Sequence, residues 1–181
     1  VDHPADPVRA GYTFRGWFID ELGTEPYFIP TMPAQDITLY AGWTANLYEI
    51  NYVENGGSTV ENQEVLYGVS ITAPAAPLRT GYAFAGWYTD AGLTSAYTFT
   101  TMPAADLQLF AKWDIVSYSI AFDSEGGSAV APLNLSYGTA VTLPADPIRA
   151  GFIFGGWYVD DGLSQLFIDA TMPAANLTLH A

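Results

Sequence analysis

The chain has 181 residues, half of them hydrophobic and 15% aromatic, with a formal net charge of −14 from 19 acidic against 5 basic side chains. Phosphate binding needs clustered Lys and Arg, so this balance argues against nucleic acid as a partner and, for the same reason, against an anionic membrane surface. Without cysteine there can be no disulfide, thiolate metal site or Cys nucleophile, and no apolar run of about 18 residues offers a membrane-inserting helix.

From the N-terminus, Gly11–Asp20 spells GYTFRGWFID and Thr31–Trp43 spells TMPAQDITLYAGW, and both texts return twice. Gly11, Gly81 and Gly151 stand 70 residues apart, as do Trp17, Trp87 and Trp157, and Met32, Met102 and Met172, with no insertion or deletion between copies. A fixed period of this kind marks a repeat architecture. The register makes residues 1–46 the C-terminal half of a truncated repeat, 47–116 a complete repeat, and 117–181 a nearly complete repeat lacking its last residues. The chain is therefore expected to be a piece of a longer array, with any export signal or anchor outside it. Acidic side chains are spread over all three stretches, as a solubility property of every copy.

Within 47–116, Tyr48, Ile50 and Tyr52 alternate with Glu49 and Asn51, the period of a half-buried strand. Asn55-Gly56-Gly57-Ser58 breaks the pattern, as Glu125-Gly126-Gly127-Ser128 does in the next copy. A second strand is expected to include Val65 and Tyr67 and to pause at Gly68, and the Pro-rich run from Ala73 to Pro77 reads as a loop. A third, Tyr82–Thr89, places Tyr82, Phe84 and Tyr88 on one side and Ala83, Ala85 and Trp87 on the other if it is regular. Ala91–Ala96 has room for a turn or two of helix. The fourth strand, Asp106–Trp113, points Leu107, Leu109, Ala111 and Trp113 inward and Gln108, Phe110 and Lys112 outward. The class that fits is α+β and β-rich, with tandem small modules that are each a mixed sheet of about four strands under short helical cover. Trp43 and Trp113 read as structural core residues. In 117–181, YSIAFDSEGGS from Tyr118 answers YEINYVENGGS from Tyr48, and Leu135 and Tyr137 answer Val65 and Tyr67. Between Trp113 and Tyr118 lie only Asp114, Ile115, Val116 and Ser117, without Gly or Pro. A junction of that composition restricts swing between copies.

No catalytic arrangement recurs once per copy, as an enzyme assembled from such repeats would require, so neither a catalytic residue nor a cofactor is expected. His3 and His180 have no counterparts at the 70-residue spacing and read as incidental surface residues, not metal ligands. Asp20, Asp90 and Asp160 each follow a strand, where Asp commonly closes a turn. Asp160-Asp161-Gly162 and Asp123-Ser124-Glu125-Gly126 resemble calcium ligands but lack the full alternating oxygen set with its closing Glu, so turn chemistry is the preferred reading. Arg9, Arg79 and Arg149 recur two residues before the glycine of the third strand and read as structural, each fixing its loop through a carboxylate or a carbonyl. Trp17, Trp87 and Trp157 admit two readings. In a regular strand they share the solvent-facing side with Arg15, Ala85 and Gly155, and with the outward Tyr40, Phe110 and His180 they would form an aromatic platform for sugar rings or a partner. The preferred alternative is that Gly16, Gly86 and Gly156 mark a bulge that turns each Trp inward.

The succession YxIxFxxxGGS, GYxFxGWYxD and TMPAxDLxLYAKW resembles the Listeria–Bacteroides repeat family, the internalin B-repeat, over the whole chain. The resemblance implies a β-grasp-like fold, a place in large multi-repeat bacterial surface or secreted proteins, and a spacer or adhesion role with no catalytic residue to carry over. The expected function is a non-catalytic extracellular module acting as a semi-rigid spacer or stalk at the cell surface or cell wall. The alternative is an adhesin-type module that takes a host or cell-surface protein, or carbohydrate, through aromatic residues or a sheet edge. The half-repeat 1–46 presents unpaired strands, so an edge contact between chains is also expected.

Overall fold

The computed structural model describes residues 5–28 and 34–181, so His3 and Met32 lie outside the described residues. Its strands are β1 (Tyr12–Phe18), β2 (Tyr40–Ala45), β3 (Leu47–Val53), β4 (Gln63–Leu66), β5 (Tyr82–Tyr88), β6 (Leu107–Ile115), β7 (Ser117–Asp123), β8 (Leu133–Ser136) and β9 (Leu177–His180). They form three sheets, ordered β1-β2, β4-β3-β6-β5 and β8-β7-β9.

In the complete repeat β3 is a central strand. It runs antiparallel to β4 and parallel to β6, with Ile50 opposite Leu107 and Tyr52 opposite Leu109. A parallel pair cannot be closed by a hairpin, so the chain from β3 to β6 must travel, and it passes through β4, the Pro-rich loop and β5 on the way. The alternation read in the sequence decides which side faces in, since Ile50 and Leu109 are both wholly inaccessible while Glu49 and Gln108 are exposed. The third copy repeats the scheme with β7 between β8 and β9, where Ile120 stands opposite Leu177. There the segment from Gly151 to Phe167, which answers β5, forms no named strand and makes isolated bridges from Tyr158 to Leu166 and to His180.

By internal contacts the chain divides into two compact units, Val1–Asn55 with Thr59–Ala75 and Trp87–Ala111, and Gly56–Ser58 with Ala76–Gly86 and Lys112–Ala181. The first buries Ile50, Tyr52, Ile71, Trp87, Met102 and Leu109, and the second buries Ile120, Trp157, Phe167, Met172 and Leu179. The methionine of the TMP motif is a core residue in both, and its backbone ties the motif to the Tyr-Gly turn. The N–H of Gly68 donates to Met102 C=O at 2.9 Å, and the N–H of Gly138 donates to Met172 C=O at 2.9 Å. The serine of the GGS motif fastens the Pro-rich loop reciprocally, the N–H of Ser58 donating to Leu78 C=O at 2.8 Å and the N–H of Leu78 to Ser58 Oγ at 2.9 Å.

One expectation is corrected and one open alternative is decided. No helix forms over Ala91–Ala96, and there is none among the described residues, so the class is β-rich without helical cover. The cause is Asp90, whose carboxylate accepts the N–H groups of Thr94 at 3.2 Å and Ser95 at 2.8 Å while Leu93 takes a φ of 54°. Those local hydrogen bonds compete with a helix that is too short to nucleate. Of the two readings of the third strand, the structure takes the preferred, irregular one. The register of β1 against β2 shifts between Phe14 and Gly16, and Gly16, Gly86 and Gly156 sit at φ of 123°, 112° and 125°. This glycine bulge puts Trp87 and Trp157 inside, at 4% and 3% exposure.

The ring of Trp87 packs on Tyr52 with centroids 4.8 Å apart, and that of Trp157 packs on Phe122 at 4.7 Å. The Tyr52 hydroxyl is buried without a hydrogen-bond partner, and burial, with Tyr97 adding to it, pushes its pKa up to about 12. Trp43 and Trp113 are half-buried, edge-on to Phe14 at 5.6 Å and Phe84 at 5.5 Å. Trp87→Ala is therefore expected to destabilise by about 3–5 kcal/mol in urea unfolding, and Trp113→Ala by less. Tyr52→Phe, which installs the residue found at Phe122, is expected to cost nothing and to stabilise by up to about 1 kcal/mol in the same measurement, because it removes an unsatisfied buried hydroxyl.

Candidate functional site

The feature built twice in the same way is the join between one copy and the next. At the first join β2 ends on Ala45 and β3 starts at Leu47, with Asn46 alone between them. The N–H of Asn46 donates to Gly11 C=O at 2.9 Å, and its C=O accepts the N–H of Tyr67 at 2.8 Å. At the second join Val116 alone separates β6 from β7; its N–H donates to Gly81 C=O at 3.0 Å and its C=O accepts the N–H of Tyr137 at 2.9 Å. Each linker is one residue long, and both of its backbone groups are engaged. At the first join the Thr13 hydroxyl also donates to Asn46 Oδ1 at 2.6 Å.

Tyr67 lies over Gly11 and Tyr137 over Gly81 so closely that a Cβ built on either glycine would collide with the ring. Both glycines have φ of 78°, a region that costs an L side chain about 1–2 kcal/mol even where there is room. The tyrosine is the outer member of a stack. The Arg9 guanidinium is 4.0 Å from the Tyr12 ring, which meets Tyr67 edge-on at 5.3 Å; Arg79 is 3.9 Å from Tyr82, which meets Tyr137 edge-on at 6.1 Å. Edge-to-face ring pairs and cation–π contacts of this sort each contribute about 0.5–1.5 kcal/mol. The recurring arginines, read as partners of a carboxylate or a carbonyl, thus also lie over the aromatic ring three residues on, and Arg149 does so over Phe152 at 4.2 Å.

The tyrosines were read as strand residues, yet Tyr67 and Tyr137 stand one residue beyond β4 and β8, in the turn. The signal that could have found them is the Tyr-Gly pair itself, present in both copies at the same distance from the preceding Gly11 or Gly81. Of the aromatic platform, Trp87 and Trp157 are in the core, Trp17 and Phe110 are half-buried, and Tyr40 is 38% exposed on β2.

The recurring aspartates close their turns. Asp20 accepts the N–H of Glu25 at 2.7 Å and of Thr24 at 3.0 Å, and Asp160 accepts the N–H of Gln165 at 2.7 Å and of Ser164 at 3.0 Å. These bonds hold all three carboxyls below the ordinary value of 3.8, led by Glu25 for Asp20, Ser95 for Asp90 and Ser164 for Asp160. His180 is brought to the end of β7, where its Nδ1 lies 3.4 Å from Glu125 Oε1 and 4.0 Å from Asp123 Oδ2. The three residues offer one donor atom each within 4.8 Å of one another, enough for an ion pair when His180 is protonated or for three ligands to a divalent cation. Val53, Asn55 and Phe110 occupy those positions in the second copy, so the cluster is not a property of the repeat.

Comparison with known proteins adds to this geometry. The sequence profile of the Listeria-Bacteroides repeat domain matches residues 1–42, 48–112 and 118–181. The chain is 39% identical over its whole length to a protein of Evansella cellulosilytica named as a candidate membrane protein, of which it covers 28%. It is 38% identical over 96% of its length to a Gly-rich candidate membrane protein of the same organism, covering 21% of it. It is 37% identical over 62% of its length to internalin H of Listeria monocytogenes, again covering 21%. The chain thus spans between a fifth and about three tenths of these relatives.

Two outcomes follow from the join and the turns. Gly81→Ala is expected to cost less in a Tyr137→Ala background than alone, by a coupling of about 0.5–3 kcal/mol in a denaturation double-mutant cycle, because only then is there room for the new Cβ. A carboxyl with a lowered folded pKa stabilises above its unfolded value and loses that contribution as pH falls through the folded one. The melting temperature is therefore expected to hold from pH 7 to about 5 and to fall below about pH 4, with a shallower acid limb in an Asp20→Asn, Asp90→Asn, Asp160→Asn triple variant.

Proposed function

Because the chain belongs to the Listeria–Bacteroides repeat family, we propose that it is a non-catalytic, semi-rigid spacer within a bacterial surface protein, outside the cell and at the wall or envelope. The observation that carries this reading is the one-residue linker, Asn46 or Val116, hydrogen-bonded on both sides, once to a glycine that a tyrosine ring covers and once from that tyrosine's own N–H. A repeat that invests its most constrained geometry in the join is suited to transmit position from copy to copy. The boundaries 1–46, 47–116 and 117–181 are proposed as the working units of that array, and the parallel β3–β6 pair at the centre of the copy as its β-grasp-like element. The names of the relatives, two candidate membrane proteins and an internalin, support a surface location.

The absence of cysteine makes the spacer reading testable with two introduced labels. Spin labels at the equivalent exposed positions, in a Glu61→Cys, Ala131→Cys variant, are expected to give a narrow distance distribution by pulsed dipolar spectroscopy. That distribution should broaden when Val116 is replaced by a Gly-Ser-Gly insert; a broad distribution in the parent chain would rule out a semi-rigid join.

A second reading, an adhesin-type module, is favoured by one observation. The edge of β2 away from β1 carries no strand among the described residues, whereas the corresponding edge of β6 is paired with β3. Such an edge can add a strand from a host or surface protein, or from another chain. It predicts concentration-dependent mass in light scattering that Tyr40→Lys, which puts a charge on β2, reduces, and a constant monomer mass would remove the contact between chains.

A further inference from the structure

The first two copies present a receiving face, made of an Arg–aromatic stack beside a left-handed glycine, and in both the glycine is buried under the Tyr-Gly turn of the copy that follows. The third copy carries the same face without its cover. Gly151 keeps the φ of 81°, but nothing lies within 4 Å of the Cβ position. Phe152, already met on one side by Arg149, is 66% exposed and Ile153 is 97% exposed, whereas Tyr12 and Tyr82 are half-buried. Beside them opens a cleft of about 100 Å³ whose lining includes Arg149, Phe152 and Phe154.

From this repetition we infer that Gly151, Phe152 and Arg149 form a docking site for the Tyr-Gly turn of a further copy of this repeat. The occupant is specific in chemistry. A flat ring can lie against the bare α-carbon of Gly151 as at Gly11 and Gly81, and a tyrosine ring there would also meet Phe152 edge-on, as Tyr67 meets Tyr12 and Tyr137 meets Tyr82. A second copy of this same chain is a poor source, because its two Tyr-Gly turns, at Tyr67 and Tyr137, are already seated on Gly11 and Gly81. A following copy is the source that continues the existing interface. The inference rests on the spacer reading only in taking the partner to be another repeat.

The test lengthens the full chain by a second copy of Lys112–Ala181 joined after Ala181, which preserves register because Ala111 and Ala181 are equivalent positions. The readout is the ring-current shift of the glycine α-protons by NMR. In the 181-residue chain Gly11 and Gly81 are each expected to show one α-proton displaced upfield and Gly151 none. In the lengthened chain Gly151 gains the displacement, keeps it with Tyr137→Phe in the appended copy, and loses it with Tyr137→Leu there. Methyl resonances of the appended copy that match those of the third report that it is folded. The inference is overturned if Gly151 does not shift in the folded, lengthened chain while Gly81 does. It is overturned equally if Gly151 shifts in the original chain with rising concentration or on adding soluble sugars, which would make a second chain or a carbohydrate the occupant. A broad label distance between Glu61 and Ala131 would defeat the spacer reading and leave this result intact.

Discussion

The rest of the structure depends on one close contact, the ring of a tyrosine laid against a glycine that has no side chain to keep it away. Tyr67 on Gly11 and Tyr137 on Gly81 each bring the turn after a short strand down onto the preceding copy. The backbone then completes the clamp through the single linker residue, Asn46 or Val116. The glycine does two jobs here. Its positive φ starts the third strand in the right direction, and its bare α-carbon admits the ring. Asparagine could meet the first requirement, but the second admits no Cβ at all, so only glycine meets both.

The interior of each copy is organised by a different constraint. A parallel pair at the centre forces a long crossing between its strands, and the chain covers that distance without a helix. Short pinned segments do the work instead. A serine from the GGS motif holds the Pro-rich loop, the TMP methionine is buried and tied to the Tyr-Gly turn, and an aspartate gathers the N–H groups of the loop between β5 and the next motif. The aspartates are half-buried at most and act through hydrogen bonds to the loop backbone, so they order the connection without adding core. That division explains how a copy of this size closes over one buried tryptophan, at Trp87 or Trp157, with half-buried aromatic residues around it.

Differences between copies show which positions the fold leaves free. Phe122 replaces Tyr52 against the core tryptophan without loss of the ring contact, which marks the Tyr52 hydroxyl as dispensable. Asp123, Glu125 and His180 gather in the third copy where the second has Val53, Asn55 and Phe110, while β7 pairs with β9 in the same parallel register as β3 with β6. The surface of the repeat therefore tolerates new chemistry, whereas the glycine bulge and the join recur.

The 70-residue period, the strand faces of β3 and β6, the Pro-rich loop and the bulge at Gly86 were all legible in the sequence, because each is dictated by short-range physics: alternation, glycine freedom and missing N–H groups. The helix expected over Ala91–Ala96 is absent because Asp90, directly before the segment and itself read as closing a turn, takes the N–H groups of Thr94 and Ser95. The joins were half legible. Composition indicated a short, constrained linker, but which side chain covered it was a matter of contacts across more than fifty residues, and nothing local distinguishes Tyr67 as the end of a strand from Tyr67 as the cover of Gly11. The same limit hid the grouping of His180 with Asp123 and Glu125, residues that meet only because β9 pairs in parallel with β7. The sequence by itself determined the repeat, its strands and its turns; only the tertiary structure decided which residues meet, because pairing partners are chosen by burial across the whole copy and not by neighbours along the chain.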